Sequence, residues 1–164
     1  MVSFKTLPIQ GNRPERLLTL LHSVASNELL THKLYAEFLN NAAGISPDIS
    51  DLCQSALDED QDHLHSIKQC IERLNGSLPQ ASTLAKMPAT QKLTTNYLLA
   101  QLQKNEAFSV KAYNEICAIS MEYDYQVFDL SYRNMNENMA HLDFVSNLLN
   151  NLNAKTDTVA GMAS

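Results

Sequence analysis

At 164 residues and a net charge of −6, the chain has the length of one domain with a sizeable core, and its acidity weighs against unaided binding to nucleic acid or to an anionic membrane surface. Only 4 Gly and 5 Pro stand among plentiful Ala, Leu, Asn, Glu, Gln and Lys, a mixture that favours helix over sheet. No apolar run reaches the roughly 18 residues of a membrane span, no apolar stretch reads as a secretory signal, and three widely spaced cysteines (Cys53, Cys70, Cys117) make no disulfide framework, so a reduced cytoplasm is the expected compartment.

Residues 1–12, with Pro8 and Gly11, are expected to form an N-terminal arm. The first helix is predicted from residues 13–15 to Gly44, with Pro14 in the first turn, where a missing N–H does no harm. Its apolar stripe is Leu17, Leu21, Val24, Tyr35 and Phe38, at three-, four- and seven-residue steps, and Glu28 falls on it. Residues 45–48 form a turn short enough to make the next helix an antiparallel neighbour. That second helix is predicted over 49–74, with Gly76 as its stop. Its stripe reads Cys53, Ala56, Leu57, Asp60, Leu64, Ile67, Ile71, Leu74, with His63 beside Leu64.

From 76 to 89 the composition turns to Ser, Pro, Thr and Gln and helical periodicity lapses. The stretch is long for a bundle loop but suits a crossover that sets the third helix parallel to the second. The third helix (90–118) carries Leu99, Leu102, Glu106, Val110, Tyr113 and Cys117 on one stripe. A break at 119–124 leads to a fourth helix (125–152) with Val127, Leu130, Asn134, Asn138, His141, Val145 and Leu148. Residues 153–164, rich in Thr, Ala and Asp, are expected to form a flexible tail, leaving 13–152 as the folded unit.

The two helical pairs echo each other. Asn27-Glu28 is followed by Tyr35, and Asn105-Glu106 by Tyr113, each Tyr seven residues after its Glu. Asp60 and His63 then stand 32 and 35 residues after Glu28, and Asn138 and His141 stand 32 and 35 after Glu106. Residues three apart share a helix face, so Asp60 with His63, and Asn138 with His141, each converge on one point. Burying an uncompensated carboxylate costs several kcal/mol. Three of them on three buried stripes imply cations, and divalent iron or manganese accepts such mixed carboxylate and imidazole ligands. The matched offsets of Tyr35 and Tyr113 suggest hydrogen bonds to the ligand carboxylates, against a plain packing role. His65, Glu59 and Asp62 read as solvated, Cys53 and Cys70 as small core or interface residues, and Met87, Met121, Met135 and Met139 as packing.

Over residues 15–150 or so the sequence resembles the bacterioferritin and Dps-like branch of the ferritin superfamily. The resemblance is carried by NEL (27–29), EDQDH (59–63), AYNEIC (112–117) and FDL (128–130). It implies an all-α four-helix bundle running up-down-down-up with a long second-to-third crossover. It further implies a di-iron site with Glu28 and Glu106 as terminal carboxylates, one imidazole from each of His63 and His141, and positions 60 and 138 between the metals. Implied too are oxidation of Fe(II) by peroxide or oxygen and a homo-oligomer, from a dimer to a dodecameric cage.

Three departures matter. Gln61 stands where bacterioferritins place a haem-ligating Met, so no haem is expected. A cysteine pair of some Dps-like proteins survives only as Cys117, its partner position being Phe108. The family's Glu is here Asn138: two Fe(II) bring four positive charges, while Glu28, Asp60 and Glu106 supply three negative ones. Glu137 is the alternative donor, although it is displaced by about 100° around the helix. Weakened or asymmetric occupancy is therefore expected. The leading functional expectation is an iron-oxidising, iron-sequestering protein that limits Fe(II)–peroxide chemistry; the competing ones are a degenerate structural or interaction subunit and a di-iron oxygenase. DNA binding through Lys5, Arg13 and Arg16 is not expected, because three basic residues in an acidic chain form no cluster.

Overall fold

The computed structural model describes residues 13–41, 45–77 and 94–162, with side chains as far as Ala154. Among these residues there are four helices and no strand: α1 (Arg13–Asn41), α2 (Pro47–Arg73), α3 (Thr95–Ser120) and α4 (Tyr125–Met162). Around the bundle the order is α2, α1, α3, α4, with α4 closing loosely back on α2. Pairings give the directions. Arg16 meets Glu115 while Asn27 meets Ser109, so α3 runs against α1; Asn134 meets Ser66 while His141 meets Glu59, so α4 runs against α2. The helices therefore run up, down, down, up.

Local chemistry sets the helix ends. Pro47 opens α2 behind Ser46, and Asp48 and Arg73 place charges of the favourable sign in its first and last turns. The stop of α2 lies one residue before the predicted glycine. Asn75 takes the left-handed conformation (φ 57°), Gly76 N–H donates to the Ile71 carbonyl at 2.9 Å and Asn75 N–H to that of Glu72 at 3.0 Å, a Schellman closure with Asn in the αL position. Thr94 caps α3 by accepting from Tyr97 N–H at 3.2 Å. Asp124 caps α4 through Gln126 and Val127 N–H at 3.1 and 3.3 Å, and its second oxygen accepts from Arg73 Nε at 2.8 Å. Burial works against the Asp124 charge, but Arg73 and these amides outweigh it and hold the carboxyl below its ordinary value.

Boundaries differ from expectation in three helices. Helix α2 opens at Pro47, two residues before 49; α3 runs from Thr95, not 90, and continues to Ser120, two residues past 118; α4 continues to Met162, ten past Leu152. A segment without Gly or Pro until Gly161 has nothing to stop the hydrogen-bond ladder, even where no apolar stripe directs it. The expected arm (1–12), the end of the first helix at Gly44 and most of the crossover lie outside the described residues.

The core is in two parts. One gathers Leu17, Leu21, Val24, Ile67, Ile71, Tyr113, Ile116 and Val127; the other gathers Leu34, Tyr35, Phe38, Leu57, Leu98, Leu99, Leu102 and Val145. Between them lies a buried polar belt.

Candidate metal centre

Every one of the six echoed positions is buried: Glu28, Asp60, Glu106 and Asn138 are fully enclosed, and His63 and His141 nearly so. The heptad-like spacing that turns Leu21 and Tyr35 inward turns Glu28 inward as well, halfway between the two apolar clusters. On α2 the register places His63, not Leu64, in the interior; Leu64 is half-buried. Among the described residues, Glu28, Asp60 and His63 each bring one ligand atom within 4.8 Å of the others.

The hydrogen bonds divide the belt into two unlike halves. Glu28 Oε1 accepts from Ser109 Oγ and from Asn138 Nδ2, both at 3.0 Å, and Glu28 Oε2 lies 3.4 Å from His63 Nδ1. Glu106 Oε1 accepts from the Tyr35 hydroxyl at 2.8 Å and lies 3.6 Å from His141 Nδ1, while its Oε2 has no partner. The Tyr113 hydroxyl accepts from Asn134 Nδ2 at 3.1 Å and is turned toward the Glu28 carboxylate. Both phenols are raised well above their ordinary value, by burial first and then by Glu106 at Tyr35 and Glu28 at Tyr113, so both keep their protons.

Asp60 sits between the two halves with both carboxylate oxygens buried and facing no donor; the side chain it meets is the Glu28 carboxyl, another acid. Burial, then the charges of Glu28 and Glu106, push its pKa up to about 10. Glu106 is raised too, by burial against the pull of His141. A buried carboxyl with no donor at either oxygen is costly, and a divalent cation satisfies it where a proton does so only in part. Asn138 Oδ1 is also buried without a partner. The donor set, three carboxylates, an amide oxygen and two imidazoles, is one that iron or manganese takes.

Glu59 and Glu137 differ from expectation. Read as solvated, Glu59 accepts from His141 Nε2 at 2.9 Å. Glu137 accepts from His63 Nε2 at 2.6 Å, so it stands on the far edge of that ring from Glu28. Both are part-exposed, at 39% and 47%, on the wall of a cleft of about 210 Å³ between α2 and α4. Burial disfavours the charged form of both histidines, yet the flanking carboxylates outweigh it: His63 is raised by Glu28 and Glu137, His141 by Glu106 and Glu59. Asp62 is exposed, as is His65, which pairs with Gln69, and the three cysteines are buried and free.

The ferritin-like domain model matches residues 18–154. The chain belongs to the ferritin family. Among curated relatives, this ferritin-like chain is 27% identical over 143 residues to a DNA protection during starvation protein of Pyrococcus furiosus, covering 82% of this chain and 77% of that one. Its fold is that of a dodecameric thioferritin, the bacterioferritin-related protein of Bacteroides fragilis, at a TM-score of 0.75 and 19% identity over 88% and 90% of the two chains. It is likewise that of a ferritin-like, diiron-carboxylate protein of Bacillus anthracis, at 0.71 and 15% over 85% and 99%.

Proposed function

We propose that this ferritin-like protein binds Fe(II) as substrate at Glu28, Asp60, His63, Glu106 and His141 and oxidises it with peroxide or oxygen. The carrying observation is Asp60, a fully buried carboxylate with no donor at either oxygen. With peroxide, two Fe(II) each give up one electron; the O–O bond breaks, two protons are taken up, and two Fe(III) and two waters result. The chain's own groups prepare for this. Glu28 and Glu106 offer carboxylate ligands, Tyr35 holds Glu106 in place through its hydroxyl, and Asp60 releases its proton as the cation arrives. Manganese suits the same donors. The family relationship and the dodecameric relative support a homo-oligomer that sequesters the product, which gel filtration or light scattering tests.

Asn138 favours a second reading, a ferritin-like subunit whose site has decayed and whose role is structural. Its amide donates to Glu28 and so stabilises the centre without any cation. One experiment separates the readings: metal analysis of purified protein followed by anaerobic Fe(II) loading and peroxide addition, monitored by Fe(III) absorbance. Bound iron and turnover support the oxidising centre; no uptake and no turnover leave the structural subunit.

A further inference from the structure

The echo between the two helical pairs breaks at a pair of buried hydroxyls. Thr31 stands three residues after Glu28, and Ser109 stands three after Glu106. Both are fully enclosed, yet they point to different partners. Ser109 Oγ accepts from Asn27 Nδ2 at 2.9 Å, which leaves its own proton to cross the α1–α3 interface to Glu28 Oε1 at 3.0 Å. The reverse relay, from Asn105 through Thr31 to Glu106, does not form. Thr31 Oγ1 donates back to the Asn27 carbonyl of its own helix at 2.9 Å, and among the described residues Asn105 Nδ2 is buried without a partner.

A carboxylate oxygen has two lone pairs to offer. On Glu28 Oε1 both are taken, one by Ser109 from α3 and one by Asn138 from α4. Glu28 Oε2 lies 3.4 Å from His63 Nδ1. The Tyr113 hydroxyl is turned toward the same carboxylate; a donor there still leaves Oε2 one lone pair. We infer that Ser109 is a positioning residue for Glu28, closing Oε1 so that a cation reaches this ligand through Oε2 alone. The inference rests on the metal-centre reading above and adds to it how one of the ligands binds. Glu106 is not held in this way. Its Oε1 accepts from the Tyr35 hydroxyl and its Oε2 has no partner, so both of its oxygens keep a lone pair for a cation. Two glutamates that match in sequence thus offer themselves differently. A group hydrogen-bonded behind a metal ligand fixes its orientation, and loss of such a partner typically costs about ten- to a hundredfold in metal affinity.

Zn(II) is a redox-silent probe that accepts carboxylate and imidazole ligands. In crystals of the Zn(II)-loaded full chain, Glu28 is expected to meet the ion through Oε2 at about 2.0–2.2 Å, while Oε1 keeps Ser109 and Asn138. Competition against a chromophoric chelator is expected to show Ser109→Ala weakening Zn(II) by about ten- to a hundredfold. Thr31→Ala removes an equally buried hydroxyl that meets no ligand carboxylate, so its Zn(II) affinity is expected to stay at the wild-type value. Ser109→Ala is expected to fold, because Asn27 Nδ2 keeps the Asn105 carbonyl at 2.9 Å, and the wild-type crystals test the assignment without any variant. Zn(II) on Oε1, or on both oxygens of Glu28, overturns the assignment while leaving the metal centre standing. So does Ser109→Ala with wild-type affinity, or a loss that Thr31→Ala matches. Wild-type protein that takes up no Zn(II) overturns the metal-centre reading and this assignment together.

Discussion

The α1–α2 pair and the α3–α4 pair carry one pattern twice, but their contributions to the centre are not equivalent. Asp60 and Asn138 occupy matching positions on α2 and α4. The carboxylate has no donor at either oxygen, whereas the amide donates to Glu28 at 3.0 Å. Ala56 and Asn134 also match, and only Asn134 reaches a tyrosine hydroxyl. Asp60 thus faces another acid until a cation arrives, whereas Asn138 already donates across the bundle to Glu28. The difference teaches that a single neutral-for-charged exchange at the midplane sets how strongly a bundle of this kind demands metal.

The largest expected effect comes from making the halves alike in the neutral sense. Asp60→Asn leaves two buried carboxylates for two divalent cations. Fe(II) affinity in anaerobic titration is expected to fall by well over the tenfold to hundredfold that loss of an outer partner costs. In the metal-free protein the same exchange removes an uncompensated buried acid, and thermal unfolding is expected to show a gain of about 1–3 kcal/mol. Unchanged iron binding in this variant defeats the role given to Asp60.

Making the halves alike in the charged sense acts the other way. Asn138→Glu supplies the fourth negative charge, so Fe(II) affinity and the saturating stoichiometry are expected to rise, affinity by about tenfold for each 1.4 kcal/mol gained. The metal-free form pays for this with a further buried acid and without the Asn138–Glu28 hydrogen bond, and is expected to lose about 1–3 kcal/mol. Equal stoichiometry and affinity in the two proteins refute the charge argument.

The pH dependence of metal-free stability is the next test. Asp60 is raised from 3.8 to about 10, and Glu106, His63 and His141 are raised as well. A group raised on folding binds its proton more tightly in the folded state, so its contribution is complete below the unfolded value and fades as pH climbs toward the folded one. Asp124, lowered on folding, acts oppositely, but its contribution is lost only as pH falls through the carboxylate range. Between pH 5.5 and 8.5 the metal-free protein is therefore expected to become steadily less stable. Each 1 kcal/mol lost lowers the melting temperature by about 2–4 °C in a chain near this size. Saturating metal expels those protons and is expected to flatten or reverse the slope, with scanning calorimetry at several pH values as the check.

Much of this was legible in the sequence because helical periodicity and burial use the same residues. Glu28, Asp60, Glu106 and Asn138 lie on stripes whose apolar members are core, and the paired offsets align them in the sequence itself. Glu59 was missed because its own helix places it off the inward stripe. What brings it to His141 is a contact between helices, visible in sequence only as the repeated 31-residue offset from Glu28 and Glu106. Asn75 took the left-handed position expected near Gly76 because Asn tolerates that conformation too. The continuation of α4 past Leu152 was hidden for another reason: backbone hydrogen bonds propagate a helix without any apolar signal.

The smallest effect separates the two tyrosines. Tyr35 donates to Glu106, a carboxylate whose other oxygen is already unpartnered, so Tyr35→Phe strips its hydrogen bond from a buried acid. Bonds to charged groups are worth about 1.5–3 kcal/mol, and that much stability is expected to be lost at pH values where Glu106 is ionised. Tyr113 accepts from Asn134, whose Nδ2 also reaches Ser66 Oγ at 3.3 Å, and its hydroxyl is turned toward Glu28, a carboxylate that already accepts from Ser109 and Asn138. In Tyr113→Phe the amide keeps that second partner, and the cost is expected to stay near 1 kcal/mol, the size of a neutral hydrogen bond. Chemical denaturation of the two variants side by side measures the gap. Equal losses mean that the tyrosines serve the two halves alike and that the asymmetry ends at Asp60 and Asn138.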